Sequence, residues 1–229
     1  MERLDKILSN CGYCSRKQAL QFLKDHEITA DGKQLTSPAE KVNASKVLIG
    51  NEPLDHPNGI FILLNKPTGY VCSHDMADGR LVYELLPEQW MYRNPVPSTI
   101  GRLDKDTTGV ILITDNTKLI HVLTSPKRNI DKVYQVTVDK PLSKELIEPF
   151  ASGNLLLNDE TKPCLPAKLS ITNDTHAEIT LHEGRYHQVK RMFAHFGYTV
   201  TALHRSRFGN YTVDNIEEGR WVDLEMPAV

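Results

Sequence analysis

The longest apolar runs in the chain, Ile60 to Leu64 and Val110 to Ile113, are four or five residues long. A membrane-spanning helix needs ~20 such residues, so these runs cannot cross a bilayer and have the length of buried strands. Further strand signals lie at Lys132 to Val138, Ala177 to Leu181 and Tyr198 to Leu203, where β-branched and aromatic residues are concentrated. Helical spacing is rarer. It occurs at Thr117 to Thr124, Ser143 to Ala151 and His187 to Phe196, the last with Val189, Met192, Phe193 and Phe196 on one face. Strands that do not alternate regularly with helices predict an α+β domain with a mostly antiparallel sheet, not a doubly wound parallel one. A Gly-rich dinucleotide or phosphate loop is absent from the sequence, so no nucleotide cofactor is expected. Ser73 to Thr99, with Gly79, Pro87, Pro95 and Pro97, reads as a long loop with a short helix near Val82 to Leu86.

The first residues form a different pattern. Leu4, Ile7 and Leu8 have helical spacing, with Gly12 as terminator and Asp5 and Lys6 on the solvent side. Ser15 is placed to cap a second helix whose buried face is Ala19, Leu20, Phe22 and Leu23. Asp31-Gly32 between Ile28-Thr29-Ala30 and Lys33-Gln34-Leu35 signals a tight hairpin, and Val47 to Ile49 another strand. Asn51 to Gly59, with Pro53 and Pro57, reads as a linker, which predicts a small α/β domain over 1–55 and a larger one over 56–229. With 40% hydrophobic and 24% charged residues the chain has enough apolar surface for both cores. Charges in Met1 to Lys6 argue against a secretory signal, and four cysteines are too few for a disulfide scaffold, so a cytoplasmic setting is expected.

Three stretches are candidates for chemistry. Gly101-Arg102-Leu103-Asp104-Lys105-Asp106-Thr107-Thr108-Gly109 sets charges and hydroxyls at the mouth of a buried strand. Composition alone reads it as a solvated loop, and Arg3-Leu4-Asp5-Lys6 repeats its central tetrapeptide in a helical context. Gly184 to Val213 contains no acidic residue but holds Arg185, Lys190, Arg191, Arg205 and Arg207 among Tyr186, Phe193, Phe196, Tyr198, Phe208 and Tyr211. Such a stretch suits phosphate neutralisation with base stacking. A basic surface balanced by the acidic segment Asp214 to Glu225 explains it as well, and also the net charge of −2. Cys11-Gly12-Tyr13-Cys14 follows a helix and not a strand, the wrong context for a thiol redox site, and Cys72 and Cys164 are too isolated to complete a zinc site.

The motif Gly101-Arg102-Leu103-Asp104 with Thr107-Thr108-Gly109 resembles the catalytic motif of pseudouridine synthases. Leu64-Asn65-Lys66-Pro67-Thr68-Gly69, Lys132-Val133-Tyr134 and Glu183 to Met192 are similar to that family's other motifs, in the same order. Arg3 to Lys6, Ser15-Arg16 and the Asp31-Gly32 hairpin resemble the S4 RNA-binding domain that precedes the catalytic domain in the RsuA branch.

The resemblance implies isomerisation of a specific uridine of 16S small-subunit ribosomal RNA, without metal or cofactor, on free RNA or a pre-ribosomal small-subunit particle and away from membranes. A member of the same branch acting on 23S large-subunit RNA, or a non-catalytic ribosomal RNA-binding protein, are the alternatives. Asp104 is then the catalytic carboxylate, which a neighbouring cation would keep ionised. By position that cation is Lys190, where many relatives have arginine, with Arg191 as the alternate candidate. Arg102 would help displace the target nucleotide, and Tyr134 would stack on the flipped uracil. Arg3, Lys6, Arg16, Lys17, Lys24, Arg185 and Arg191 are the expected RNA contacts. Asp106 has no support from the motif.

Overall fold

The computed structural model describes residues 1–227, which build one small core near the N-terminus and two further cores on opposite faces of a larger sheet. In the small unit, β1 (Glu2–Arg3) leads into α1 (Leu4–Asn10), whose Leu4, Ile7 and Leu8, together with Cys11 beyond its end, are buried at i, i+3, i+4 and i+7. Asp5 does not face solvent as expected. Arg3 and Arg16 reach over it at 2.9 and 3.4 Å and leave its side chain 8% exposed. Nor does Ser15 cap the second helix. Its amide and hydroxyl both donate to Gln18 Oε1, a separate turn closes there, and α2 (Ala19–Asp25) starts beyond it. Leu20, expected in the buried face, is exposed, and Ala19, Phe22 and Leu23 pack inward.

The hairpin forms where predicted. Asp31 and Gly32 have φ of 49° and 74°, both left-handed, and join β2 (Ile28–Ala30) to β3 (Lys33–Gln34). β4 (Lys41–Val42) pairs with β1, while β5 (Val47–Ile49) and β6 (Glu52–Pro53) complete an antiparallel sheet in the order β3-β2-β5-β6.

The expected linker is therefore partly strand, and the residues just beyond β6 are pinned in place. The Asp55 amide donates to the Tyr13 hydroxyl at 3.1 Å, and Trp90 Nε1 donates to the Asp55 carboxylate at 2.5 Å. Arg93, fully buried, donates to the carbonyls of Asp55 and His56 and pairs with Asp115 at 3.0 Å. His56 lies between Asp55 and Asp223. Burial alone would lower its pKa, but the two carboxylates outweigh burial and leave it raised. This segment is a buttress between the units and not a free tether.

The large sheet comprises β7 (Phe61–Lys66), β8 (Ser98–Thr99), β9 (Thr108–Thr114), β10 (Lys132–Val138), β11 (Lys168–Ile171), β12 (His176–Leu181), β13 (Val200–Phe208), β14 (Tyr211–Thr212) and β15 (Trp221–Asp223). The order along it is β11-β12-β10-β13-β9-β7-β15, with β8 on β9 and β14 on β13. Among the described residues only β13 and β9 run parallel. The predicted antiparallel α+β architecture is what forms.

The unbroken apolar runs belong to β7 and β9 because both of their faces are covered. Ile62, Leu64, Ile111 and Ile113 point to one core, and Phe61, Leu63, Val110 and Leu112 to the other, under α3 (Thr117–Thr124). From Tyr134 onward β10 alternates, because one of its faces carries the main core through Tyr134, Val136 and Val138. Over that core lie α4 (Ile147–Ala151) and α5 (Gln188–His195), the latter burying Val189, Met192 and Phe193. β13 begins two residues later than expected and continues five residues beyond Leu203, because His204 to Phe208 are paired with β10 on one side and, at His204 and Arg205, with β9 on the other. No described helix is long and apolar enough to cross a membrane.

Candidate active site

The parallel junction of β9 and β13 fixes the position of the charged loop. At Gly109, with φ of 102°, a Cβ would lie 2.2 Å from the Arg205 carbonyl oxygen, so only glycine lets the two strands meet there. Ahead of it the backbone of residues 104–107 makes a turn, with the Thr107 amide donating to the Asp104 carbonyl. The loop has few backbone partners of its own. Lys66, 0% exposed at the end of β7, supplies them by donating to the carbonyls of Asp104, Thr107, Lys105 and Pro67 at 2.9–3.4 Å. Burial lowers the Lys66 pKa, partly offset by the nearby Asp106 and Asp104 charges.

With its backbone held, Asp104 projects its carboxylate toward the start of α5, where Lys190 Nζ lies 3.0 Å from Oδ2 and His187 Nε2 3.4 Å from Oδ1. Lys190 lies in the first turn of the helix. His187 precedes it in a left-handed conformation, φ 45°, which costs a non-glycine residue energy and turns its ring out of the helical path. The surrounding segment enforces that geometry. Gln188 Oε1 accepts from the Arg185 amide, Arg191 holds the Tyr186 carbonyl, and the Tyr186 ring stacks on His187 at 3.8 Å.

Lys190 also reaches Asp106 Oδ1, at 2.5 Å. Burial would lower the Lys190 pKa, but hydrogen bonds to Asp106 and Asp104 leave it raised. The same contact lowers the Asp106 carboxyl.

Asp104 borders a cavity of about 640 Å³, a size suited to a nucleotide-sized ligand. Buried Tyr134 forms part of its wall, and exposed Arg102 stands at its edge without an ion pair among the described residues. Lys132 and Arg205 also line it, 5.5 and 5.3 Å from the Phe208 ring centre. Burial and the Arg205 charge lower the Lys132 pKa. Arg205 donates to the Val110 carbonyl but leaves Nη2 unpartnered among the described residues. Of the other acidic residues in the lining, Glu183 is engaged by Arg185 and Gln188, and Asp78 is exposed on the outer loop.

The structure thus brings Asp104, Arg102 and Tyr134 to one cavity, with Lys190 reaching Asp104 from α5 outside the cavity lining. The expected RNA contacts are dispersed. Lys17 and Lys24 are exposed without ion pairs among the described residues, whereas Lys6 pairs with Glu2, and Arg3 and Arg16 with Asp5. Arg185 and Arg191 turn inward. Arg185 binds Glu183, Glu160 and the carbonyls of Lys162 and Pro163, and Arg191 binds Glu160 and the Asn158 carbonyl. Arg191 therefore does not stand in for Lys190 beside Asp104. Cys11 and Cys14 are free thiols, each with its pKa raised by burial, the opposite of what a nucleophilic thiolate needs.

Sequence reasoning gave no role to Lys66, His187 or Asp106. The signal for Lys66 was a cation ending an apolar run beside a proline, a position where a charge has to be buried. For Asp106 and His187 there was none, since their partner lies across the fold.

Residues 60–195 match the family model described as RNA pseudouridylate synthase, and residues 2–57 match the S4 domain. The chain is 40% identical over 215 residues to the ribosomal small subunit pseudouridine synthase A of Yersinia pestis, covering 93% of this chain and 90% of that one. With the protein of the same name from Escherichia coli K12 it shares 38% identity, covering 93% and 91%. A crystal structure of a pseudouridylate synthase superposes with a TM-score of 0.67 at 34% identity, over 98% of this chain and 96% of that one. The chain belongs to the RNA pseudouridylate synthase family and carries an S4 domain at its N-terminal end.

Proposed function

We propose that the chain converts a uridine of small-subunit (16S) ribosomal RNA into pseudouridine in the cytoplasm, with Asp104 as the catalytic carboxylate. The single observation that carries this reading is the Asp104 carboxylate at the edge of a nucleotide-sized cavity, 3.0 Å from a partly buried ammonium. The small-subunit substrate is suggested by relatives that match over nearly their whole length.

In the reaction the bond from C1′ to N1 breaks, the uracil turns, and C5 bonds to C1′ while the C5 proton is lost and N1 gains one. Atoms and electrons balance without a co-reactant. Asp104 acts on the electrophilic or acidic position presented to it, and Lys190 holds it oriented until it does. Tyr134 offers its ring to the turned base, and Arg102 fills the place that the flipped nucleotide leaves. Phosphate contacts come from exposed cations, Lys17 and Lys24 on the S4 domain and Arg102 and Lys105 at the cavity, while Arg185 and Arg191 shape the loop that carries His187.

The test is incubation of the protein with small-subunit and large-subunit ribosomal RNA, separately and without added cofactor, followed by mapping of pseudouridine. A single new pseudouridine in the small-subunit RNA is the expected result. Modification of large-subunit RNA alone overturns the substrate assignment, and none in either overturns the activity.

A further inference from the structure

The loop that holds Asp104 carries a second carboxylate without a part in the chemistry above. Asp106 is 69% exposed, yet its Oδ1 lies 2.5 Å from Lys190 Nζ, closer than Asp104 Oδ2 at 3.0 Å. One ammonium bridges two carboxylates because the turn from Asp104 to Thr107 points both side chains at α5. Lysine suits this arrangement. Its three donors diverge to separate acceptors, whereas the planar fork of an arginine favours bidentate pairing with one carboxylate.

We propose that Asp106 is a positioning residue for the isomerisation: it holds Lys190 between two carboxylates and keeps a counter-charge beside it when the charge of Asp104 is consumed. The inference rests on Asp104 being the catalytic carboxylate. Whether Asp104 bonds to carbon or takes a proton, its negative charge disappears in that step. Lys190, with its side chain 24% exposed, then keeps its positive charge in a largely desolvated place, and an unpaired cation there is costly. With Asp106 present the ammonium moves toward a partner it already touches. Before the step the sharing matters in the other direction. A lysine divided between two carboxylates neutralises Asp104 less than one committed to it, and leaves it a better nucleophile or base.

Other charges face the pair. His187 approaches Asp104 from the segment before α5, Lys66 lies behind the loop on β7, Arg102 and Lys105 flank Asp104 on the loop itself, and His204 of β13 borders the depression next to Asp106. Lys190 is the one ammonium that pairs with both carboxylates among the described residues, with a hydrogen bond to Asp106 and an ion pair at 3.0 Å to Asp104.

The experiment compares the full-length wild type with Asp106→Asn, Asp106→Glu and Asp104→Asn on small-subunit ribosomal RNA, measuring kcat, KM and melting temperature. For Asp106→Asn, kcat is expected to fall about five- to tenfold with KM and melting temperature little changed, since the neutral amide no longer shares the charge of Lys190. Asp106→Glu, which returns the carboxylate, is expected to recover most of kcat. Three results overturn the proposal: an unchanged kcat in Asp106→Asn, a change confined to KM, or a loss of kcat that follows a lower melting temperature and is not recovered by Asp106→Glu. Asp104→Asn separates the two readings, because near-normal turnover in that variant removes the catalytic assignment itself, whatever Asp106 does.

Discussion

The tetrapeptide Arg-Leu-Asp-Lys occurs twice, at Arg3 to Lys6 and at Arg102 to Lys105, and the two copies have opposite fates. The leucine does the same work in both, since Leu4 and Leu103 are buried. The aspartates differ. Asp5 is neutralised from within its own neighbourhood, by Arg3 two residues away and by Arg16 in the next turn of chain. Asp104 receives no help from Arg102 or Lys105, both exposed, and takes its cation from a distant helix that reaches the cavity independently. The backbones differ as well. The first copy runs into a helix that bonds its own carbonyls, while the second is a loop whose carbonyls are gathered by Lys66. A carboxylate becomes available for chemistry here because its local cations turn away and a buried lysine holds its backbone in place of a helix.

The largest test of that contrast is the same substitution in both copies. Asp104→Asn is expected to lower kcat for pseudouridine formation by at least ~10³-fold with the fold intact, because the amide keeps shape but loses charge and nucleophilicity. Asp5→Asn is expected to leave turnover within about twofold, since it touches only the helical unit. Equal losses in the two variants would break the comparison. Next in size is Lys66→Met, which takes a buried donor from the carbonyls of Pro67, Asp104, Lys105 and Thr107 and is expected to cost about 3 kcal/mol of stability in chemical denaturation, together with turnover. A stable Lys66→Met protein would mean that the loop holds itself, as the helix does.

How much of this was visible in the sequence depends on the range of the interactions. The α+β architecture, the Asp31-Gly32 hairpin and α3 over Thr117–Thr124 could be read, because periodicity and turn chemistry are local. Asp104 and Lys190 were found through motif resemblance, and the structure puts them 3.0 Å apart. The features that were not legible rest on contacts across the fold. Asp5 looked solvent-facing by helical phase, but Arg3 and Arg16 both fold over it, the latter from beyond the helix. Arg185 and Arg191 looked like phosphate ligands in a stretch without acids, but Glu160 and backbone carbonyls from a different segment claim them. The linker looked flexible by its prolines, whereas Arg93 and Trp90 from the long loop fasten it. Ser15 failed for a local reason, competition from the Gln18 side chain.

A smaller effect tests the cation that the second copy borrows. Lys190→Ala is expected to lower kcat about 10- to 100-fold, the range for removing one charge-stabilising donor from an active site. Lys190→Arg should lose less, since a cation returns beside Asp104, although its fork cannot serve Asp106 in the same way. The ranking is the measurement. If the two variants have equal kcat at equal stability, the ammonium is not what distinguishes Asp104 from Asp5, and His187, 3.4 Å from the carboxylate, becomes the partner to examine.

The smallest expected effect concerns the first copy and its dependence on pH. The hydrogen bond from Arg3, opposed by desolvation and reinforced by the Arg16 charge, lowers the Asp5 carboxyl below its ordinary value. A carboxyl whose pKa is lower folded than unfolded binds fewer protons in the folded state over the interval between the two values. Its contribution is therefore fully present above the unfolded value of roughly 4, and is lost as pH falls through the lowered folded one. Wild type should then exceed Asp5→Asn in stability by a constant margin at pH 6 to 8. That margin should narrow steadily below about pH 4 as the wild-type carboxyl is protonated. Urea denaturation of both proteins across that range, read as the difference between them, cancels the other carboxyls common to both. A margin that stays constant into acid would show that Asp5 acts through shape and neutral hydrogen bonding. Its arginines would then be incidental, and the two copies would differ in their backbones alone.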